Sequence, residues 1–295
     1  MHLTRRNFSF LVSSLAASYA ISNPTFAATK AKDAFSEKLI EIEKRLGARL
    51  GVAVLDTNNG RRWSHNAKER FPMCSTFKLL AVSAVLAKVD TGKENLTRRI
   101  KFDVNELVTF SPITETRISG EGMTLAEICE AAITRSDNTA ANIILKSLGG
   151  PTAVTEFARK LKDAHTRLDR FETELNEATP GDPRDTTTPS AMLANLHELL
   201  LGKALSEKSR TQLKAWLIAN KTGDAKVRAG VPKEWIVGDK TGAGGYGSDN
   251  DVAIIWPTDR KPILISIYIT ETKASFDDCN AAIAEIARTL ATTIS

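Results

Sequence analysis

Two short segments of this chain carry residues that could form an ester and then hydrolyse it. Ser75 begins the sequence Ser-Thr-Phe-Lys, in which Lys78 follows the serine by three residues. On a helix, that spacing places a nucleophile and a proton acceptor on the same face. An acyl-serine turns over only when water is delivered to it. The segment 170–176 offers the carboxylate of Glu172 and the side-chain amide of Asn176 for that task.

Two further motifs could bind and polarise a carbonyl substrate. Ser136-Asp137-Asn138 lies between two predicted helices, and Lys240-Thr241-Gly242 comes out of a predicted strand. The strand edge can offer a backbone N–H, that of Ala243, to a substrate oxygen, while Lys240 and Thr241 can hold a carboxylate. The glycines at 242, 244 and 245 would let a ligand approach the backbone closely.

Each motif also has a purely structural interpretation. A Ser-x-x-Lys match is expected about once by chance in a chain of this length, and it can be a capped surface helix with a solvated lysine. Ser136-Asp137-Asn138 alone would be a helix N-cap, and Glu172 alone a solvated loop carboxylate. Lys-Thr-Gly also occurs at 221–223, where it is predicted to end a helix. The motifs indicate a catalytic function only in combination.

Hydrophobic periodicity places these motifs in a mixed fold. It predicts helices at 33–46 and 277–289, a hairpin with strands at 49–56 and 61–65, and three strands at 235–242, 251–256 and 263–270. The long stretch between the second and third strands carries helix signals, among them a capping box of Thr124 and Glu127. The simplest assembly is therefore a sheet built from both chain ends with an inserted all-helical unit.

This assembly divides the mature chain into two predicted domains. Residues 28–66 and 219–295 form an α/β sheet domain, and residues 67–218 form an all-helical domain that carries the Ser-x-x-Lys, Ser-Asp-Asn and Glu172 segments. A cleft between the two domains is the expected site, because ligand sites are concave and favour domain boundaries.

The first 27 residues resemble an export signal. Arg5 and Arg6 form a twin-arginine region, residues 8–21 carry no charge, and Ala27 ends a stretch with small residues where a signal peptidase would cut. The alternative is a retained membrane anchor, but the apolar run is shorter than the ~20 residues that a spanning helix needs. We expect cleavage after Ala27, with Ala28 as the nearest alternative, and a periplasmic or secreted protein with no membrane contact afterwards.

Composition argues against several other functions. Of 295 residues, 42% are hydrophobic and 25% are charged, which is typical of a globular protein. The net charge of +5 falls to +3 without Arg5 and Arg6, and no run of basic residues remains, so we expect no nucleic-acid partner. Cys74, Cys129, Cys279 and the four histidines show no metal-ligand spacing. We expect no metal, no cofactor and three free thiols.

Together, the motifs resemble a known family. Ser75-x-x-Lys78, Ser136-Asp137-Asn138, Glu172-x-x-x-Asn176 and Lys240-Thr241-Gly242 occur in the order typical of class A serine β-lactamases. The resemblance extends over nearly the whole mature chain, including residues 111–114, 138–142 and 181–187. It implies a fold like that of serine β-lactamases and D,D-peptidases, α/β of the α+β type, with a five-stranded antiparallel sheet flanked by helices. It also implies a monomer that hydrolyses the β-lactam amide of penicillins and cephalosporins, giving antibiotic resistance.

The resemblance assigns a role to each motif residue. Ser75 would be the nucleophile with Lys78 as its proton partner, Ser136 would relay a proton to the lactam nitrogen, Asn138 would hold the substrate's amide side chain, and Glu172 with Asn176 would position the deacylating water. Phe110 matches an aromatic residue at the cleft mouth, and Arg170 with Asp185 matches an ion pair that closes the loop around Glu172. The resemblance leaves open whether Lys78 or Glu172 takes the proton during acylation. It also implies a cis peptide bond between Glu172 and Thr173.

The sequence departs from the family pattern beside the third motif. Many members place an arginine there to contact the substrate carboxylate, whereas this chain has Asp249 after Gly247-Ser248. Lys226 is the best remaining cation for that contact, with Arg228 second. Cys74 resembles a cysteine that forms a bridge in a carbapenem-hydrolysing subgroup, but the position of its partner is Gly244 here. That bridge cannot form.

Two other functions share part of this pattern. A D,D-peptidase of the penicillin-binding protein group has the serine, lysine and third motif but does not need Glu172, so it would be favoured if Glu172 lay away from Ser75. A β-lactam sensor domain is acylated and stays acylated, and is usually tethered to a membrane. Turnover of a β-lactam, rather than a single stoichiometric burst, would separate the enzyme from both.

Overall fold

The computed structural model describes residues 34–118 and 120–294. The predicted signal peptide, 1–27, and its cleavage point after Ala27 lie outside these residues. The described helices are α1 (Ala34–Leu46), α2 (Phe77–Asp90), α3 (Leu125–Thr134), α4 (Asn138–Leu148), α5 (Thr152–Lys160), α6 (Pro189–Leu200), α7 (Glu207–Ile218), α8 (Val227–Gly230) and α9 (Phe276–Ile294). The described strands are β1 (Arg49–Asp56), β2 (Arg62–His65), β3 (Phe71–Pro72), β4 (Arg99–Ile100), β5 (Met123–Thr124), β6 (Thr186–Thr187), β7 (Ile236–Gly244), β8 (Ser248–Trp256) and β9 (Ile263–Thr270).

The main sheet has five strands in the order β2-β1-β9-β8-β7, and every neighbouring pair is antiparallel. Its strands come from both ends of the chain, as the sequence predicted, and the helices α2 to α8 lie between β2 and β7 in the sequence. The predicted fold class is therefore confirmed. The strands β7 and β8 are longer than predicted, because the glycines and aspartates at 242–251 continue the ladder down to the pair Gly244 and Ser248.

Side chains on the sheet alternate between two hydrophobic cores. Val52 and Ile265 pack with α1 and α9 on one face, whereas Ala53 and Leu264 pack on the other face with the helices of the inserted segment. Every residue of β9 is buried, because both faces are covered by helices. Alternation of this kind follows from the two-residue period of a strand.

The helical segment is organised around α2, which is buried from Phe77 to Leu86. The predicted capping box of Thr124 and Glu127 is present at the start of α3. Gly149 ends α4 in a left-handed conformation, with a φ of 107° that a glycine adopts without steric cost. Pro189 begins α6 at a position where its missing N–H is not needed.

Two further features bear on the sequence expectations. Cys74, Cys129 and Cys279 are all buried and free, which agrees with the prediction of three unpaired thiols. Among the described residues, no helix is both long enough and apolar enough to cross a lipid bilayer.

Candidate active site

Ser75 lies in a tight turn immediately before α2. Residues 74–76 form one turn of 3₁₀ helix, so that Lys78 follows in the first turn of α2. The side-chain amide of Asn250, on β8, donates to the carbonyls of Pro72 and Met73 at 3.0 and 3.1 Å, which anchors the segment before the nucleophile to the sheet. The predicted placement of Ser75 at a helix N-terminus is confirmed.

The ammonium of Lys78 is surrounded by hydrogen-bond acceptors. It donates to the Oγ of Ser75 at 2.9 Å, the carbonyl of Ser136 at 2.8 Å and the Oδ1 of Asn138 at 2.6 Å. It also lies 2.9 Å from the Oε1 of Glu172. Burial lowers the pKa of Lys78, and the carboxylate of Glu172 opposes that shift. A buried lysine with a lowered pKa can exchange a proton with the serine that it contacts.

Glu172 lies directly beside Ser75. Its Oε1 lies 3.4 Å from the Oγ of Ser75, and its Oε2 accepts from the Nδ2 of Asn176 at 2.5 Å. Asn142, on α4, fixes the backbone of Glu172 by exchanging two hydrogen bonds of 2.9 Å with its N–H and its carbonyl. The Oδ1 of Asn176 is buried and has no hydrogen-bond partner among the described residues. An acceptor of this kind is suited to hold a water molecule beside the carboxylate.

The loop that carries Glu172 is tied at its base. The Oδ2 of Asp185 accepts from the Nε of Arg170 at 2.6 Å, and its Oδ1 accepts from the backbone N–H groups of Asp169 and Arg170 at 2.7 and 3.0 Å. The strands β3 and β6 pair just before Ser75 and just after Asp185, so the two functional segments share a two-stranded ribbon. The Glu172–Thr173 peptide bond is cis, as the resemblance implied.

Ser136 lies between two lysines. Its Oγ accepts from Lys240 at 3.0 Å and from Lys78 at 3.4 Å. Burial lowers the pKa of Lys240 to about 7, and the positive charge of Lys78 acts in the same direction. The hydroxyl of Ser136 is therefore within reach of two groups from which it could receive a proton.

Asn138 begins α4, directly after the N-cap residue Asp137. Its Oδ1 accepts from Lys78, and its Nδ2 donates to the carbonyl of Thr109 at 2.8 Å. Both ends of this side chain are therefore already engaged within the protein, although it still lines the cleft. Phe110 lies at the same opening with 58% of its surface exposed.

These side chains converge on one cleft of about 440 Å³ between the edge of β7 and the helical segment. The predicted residues that line it are Ser75, Phe110, Ser136, Asn138, Asn176, Lys226, Thr241, Gly242 and Ala243. The side chains of Lys78 and Glu172 are buried against Ser75, and that of Lys240 is buried against Ser136. A cavity of about 530 Å³, lined by Arg62 and His197 among others, contains none of the predicted site residues.

The glycines at 242, 244 and 245, at the end of β7 and just after it, also allow close contacts within the protein. A Cβ on Gly242 would lie 2.8 Å from the carbonyl of Met73, and one on Gly244 would lie 2.6 Å from both the Sγ of Cys74 and the carbonyl of Asn176. A Cβ on Gly245 would lie 2.2 Å from a backbone carbonyl of the Glu172 loop. The glycines thus let the protein's own nucleophile turn and loop approach the strand. The N–H of Gly245 donates to the carbonyl of Asn176 at 2.8 Å in this contact.

The two candidate cations beside the third motif are both paired with carboxylates. Lys226 lines the cleft and donates to Asp249 in a short hydrogen bond, and both side chains are buried. Arg228 donates to the Oδ1 of Asp239 at 2.6 Å and to two carbonyls at the end of α7, and it does not line the cleft. Of the two, only Lys226 is placed to contact a ligand there.

Sequence reasoning missed some of the residues at the site. Thr222, in the Lys-Thr-Gly that was predicted only to end a helix, lines the cleft, and its Oγ1 lies 2.5 Å from the Oγ1 of Thr241. Asp249 and Phe276 also line the cleft. The repeated Lys-Thr-Gly was a signal that could have found Thr222.

In the described residues, no cluster of three or more His, Cys, Asp or Glu side chains is arranged to hold a metal ion.

Comparisons with known proteins agree with this geometry. A family model described as "Beta-lactamase enzyme family" matches residues 34–294. Beta-lactamase AER-1 of Aeromonas hydrophila is 46% identical over 275 residues, covering 93% of this chain and 90% of that protein. Beta-lactamase CTX-M-8 of Citrobacter amalonaticus is 47% identical over 252 residues, covering 85% and 86%. The solved structure of the last common ancestor of Gram-negative bacteria (GNCA4) beta-lactamase class A is 60% identical with a TM-score of 0.88, covering 89% of this chain and 100% of that one. The chain therefore belongs to the β-lactamase enzyme family, and within it to the class A serine β-lactamases.

Proposed function

We propose that this class A β-lactamase opens the β-lactam amide of penicillins and cephalosporins through an acyl-ester on Ser75, with water as the second substrate, and so confers antibiotic resistance. The observation that carries the proposal is the position of the Ser75 Oγ, 2.9 Å from the Nζ of Lys78 and 3.4 Å from the Oε1 of Glu172. One nucleophile therefore contacts both a lysine and a carboxylate, as acylation followed by hydrolysis requires.

In the acylation step, the Oγ of Ser75 attacks the lactam carbonyl and its proton passes to Lys78 or Glu172. The backbone N–H groups of Ser75 and Ala243 are proposed to hold the developing oxyanion. Their proximity is supported by Gly242, where an added Cβ would lie 3.1 Å from the N of Ser75. Ser136, between Lys78 and Lys240, would pass a proton to the leaving nitrogen.

In the deacylation step, Glu172 acts as the base that takes a proton from water. Asn176 orients the carboxylate through its Nδ2 and offers its unpartnered Oδ1 to the same water. A carboxylate so close to Ser75 is what a D,D-peptidase does not need, so its position favours the β-lactamase over that alternative.

The remaining residues of the cleft would bind the substrate. Lys240 and Thr241 would hold the carboxylate beside the lactam ring, and Lys226 is the candidate for a further contact to it. Asn138 and Phe110 would contact the acylamino side chain at the cleft mouth. This division follows the elements that line the cleft. Thr241 and Ala243 lie on β7, and Lys226 contacts Asp249, which pairs with Ala243. Phe110 and Asn138 belong instead to the helical segment.

Export and assembly are part of the proposal. Residues 1–27 would direct the chain through the twin-arginine route, and the mature protein would act in the periplasm or outside the cell as a monomer, without nucleic acid and without membrane contact. Its mature part would comprise the sheet domain (28–66 and 219–295) and the helical domain (67–218). Fractionation of cells that express the full chain tests this, because Arg5→Lys with Arg6→Lys should retain the protein in the cytoplasm.

The direct test of the activity uses a chromogenic cephalosporin and the mature protein. Continuous hydrolysis, with many molecules of substrate opened per protein, is the expected result. A single burst equal to the protein concentration, followed by no turnover, would indicate a sensor domain or a penicillin-binding protein instead. Ser75→Ala is the matched control and should show neither a burst nor turnover.

A further inference from the structure

Asp249 lies at the cleft in a position for which the motifs give no role. It is on β8 directly opposite Ala243 on β7, and it lines the same cleft as Ser75. Its residue surface is 1% exposed, and that of Lys226 is 2% exposed. A carboxylate is thus buried beside the strand that is proposed to receive the substrate's own carboxylate.

The contact between Asp249 and Lys226 holds the ammonium of Lys226 in place. The ammonium of Lys226 donates to the Oδ1 of Asp249 and lies 4.9 Å from the ring centroid of Phe276. A lysine held by a carboxylate on one side and an aromatic face on the other has its charge largely compensated before any ligand arrives.

The second oxygen of Asp249 makes the site less favourable for an anion. The Oδ2 atom is buried and has no hydrogen-bond partner among the described residues. Burial raises the pKa of Asp249, and Lys226 opposes that shift. A ligand carboxylate that approaches Lys226 would therefore compete with a buried carboxylate that already accepts from the same ammonium.

We propose that Asp249 is a specificity-determining residue that keeps Lys226 in an ion pair and thereby weakens the binding of β-lactam carboxylates. The proposal rests on the proposed function, in which that carboxylate enters beside Lys240 and Thr241. When the carboxylate of Asp249 is removed, buried Lys226 loses its counter-charge, and the substrate carboxylate is the group that can replace it.

The test compares one substrate with and without its carboxylate charge. We would measure kcat and KM for benzylpenicillin and for its methyl ester with the unmodified mature protein and with Asp249→Asn. The expected result is a rise of about tenfold in the ratio of kcat/KM for the acid to that for the ester, carried mainly by a lower KM, since one charge-assisted hydrogen bond is gained. Asp224→Asn is the matched control, because it makes the same charge change at an exposed residue two positions before Lys226. Its ratio should stay that of the unmodified protein.

The Lys226→Met variant tests whether Lys226 is the cation that Asp249 holds. In Lys226→Met, the substitution Asp249→Asn should no longer raise the ratio, because no ammonium is left to be released. Asp249→Thr provides a β-branched alternative suited to a strand, and its ratio should rise as that of Asp249→Asn does. Thermal unfolding shows whether each variant folds. If one of the two Asp249 variants does not fold, the ratio measured with the other decides whether the proposal holds.

Several results would overturn the proposal. They are an unchanged or lower ratio in the folded Asp249 variants, an equal rise in Asp224→Asn, and a rise that persists in the Lys226→Met background. Each leaves the proposed function intact as long as the unmodified protein hydrolyses benzylpenicillin. Failure of the unmodified protein to turn over any β-lactam would instead contradict the proposed function, and with it this inference.

Discussion

The carboxylate of Glu172 lies 2.9 Å from the ammonium of Lys78, and neither side chain is exposed to solvent. Both groups also contact the Oγ of Ser75. Because the two are buried together, each stabilises the charge of the other, and removal of one partner leaves an unpaired buried charge. The same pair can therefore serve both steps of the reaction, with a proton moved between groups that already touch.

The first prediction concerns pH and Lys240. Burial lowers the pKa of Lys240 to about 7, so its charge is present below that pH and is lost as the pH rises through it. If the charged form binds the substrate carboxylate, kcat/KM for a penicillin should fall between about pH 6 and pH 9, by up to tenfold per unit once the lysine is neutral.

A control for this prediction is Lys240→Arg, because a guanidinium stays charged throughout that range. Its profile should lack the fall on the alkaline side, whatever its absolute rate. Identical profiles for the two proteins would show that another group titrates.

The second prediction concerns Thr222, whose Oγ1 lies 2.5 Å from the Oγ1 of Thr241. Thr222→Ala should leave the hydroxyl of Thr241 without that partner and weaken its hold on the substrate carboxylate. We expect kcat/KM for benzylpenicillin to fall roughly 2- to 12-fold, which corresponds to the ~0.5 to 1.5 kcal/mol of one hydrogen bond. Thr222→Ser keeps the hydroxyl and should retain the activity. Equal activity in the Ala variant and the unmodified protein would remove Thr222 from the site.

The third prediction concerns the base of the Glu172 loop. Asp185 is buried and accepts from Arg170 and from two backbone N–H groups. Asp185→Ala should lower the free energy of unfolding by about 3 to 5 kcal/mol, the usual cost of breaking a buried ion pair by removing one partner. It should also slow deacylation, because the loop would no longer hold Glu172 beside Ser75.

The same loop supplies the control. Asp182 pairs with the half-exposed Arg184 at 2.7 Å, and Asp182→Ala should change the free energy of unfolding by no more than about 1 kcal/mol. Urea unfolding measures both variants. Equal destabilisation by the two substitutions would mean that closure by Asp185 and Arg170 does not stabilise the loop.

Much of the fold and of the geometry of the candidate site was predictable because the signals are local. The capping box of Thr124 and Glu127, the turn at Gly149 and the apolar runs of β1 and β9 each depend on neighbours in the sequence. The proximity of Ser75 and Lys78 is also a local signal, since a spacing of three residues on a helix brings the two side chains together. The order of the motifs then indicated which segments meet.

The features that sequence reasoning missed depend on contacts between distant segments. The pairing of β7 with β8 carries Asp249 into a buried strand, although glycines and acidic residues there resemble a loop. The link between Thr222 and Thr241 forms because the end of α7 packs against β7, which no periodicity encodes. The glycines at 242, 244 and 245 were singled out for the approach of a ligand, and the fold shows that they also allow the close approach of the protein's own backbone.

The central claim is that Ser75 forms the acyl-ester and that Glu172 activates the water that hydrolyses it. The most direct measurement is mass spectrometry of Glu172→Gln after mixing with a penicillin, followed over time beside the unmodified protein and Ser75→Ala. We expect Glu172→Gln to carry one penicilloyl group on Ser75 and to release it ~10² to 10⁴ times more slowly than the unmodified protein, because general-base help is lost. Ser75→Ala should stay unmodified throughout. An unmodified Glu172→Gln protein that still hydrolyses the penicillin at the original steady-state rate would contradict the account.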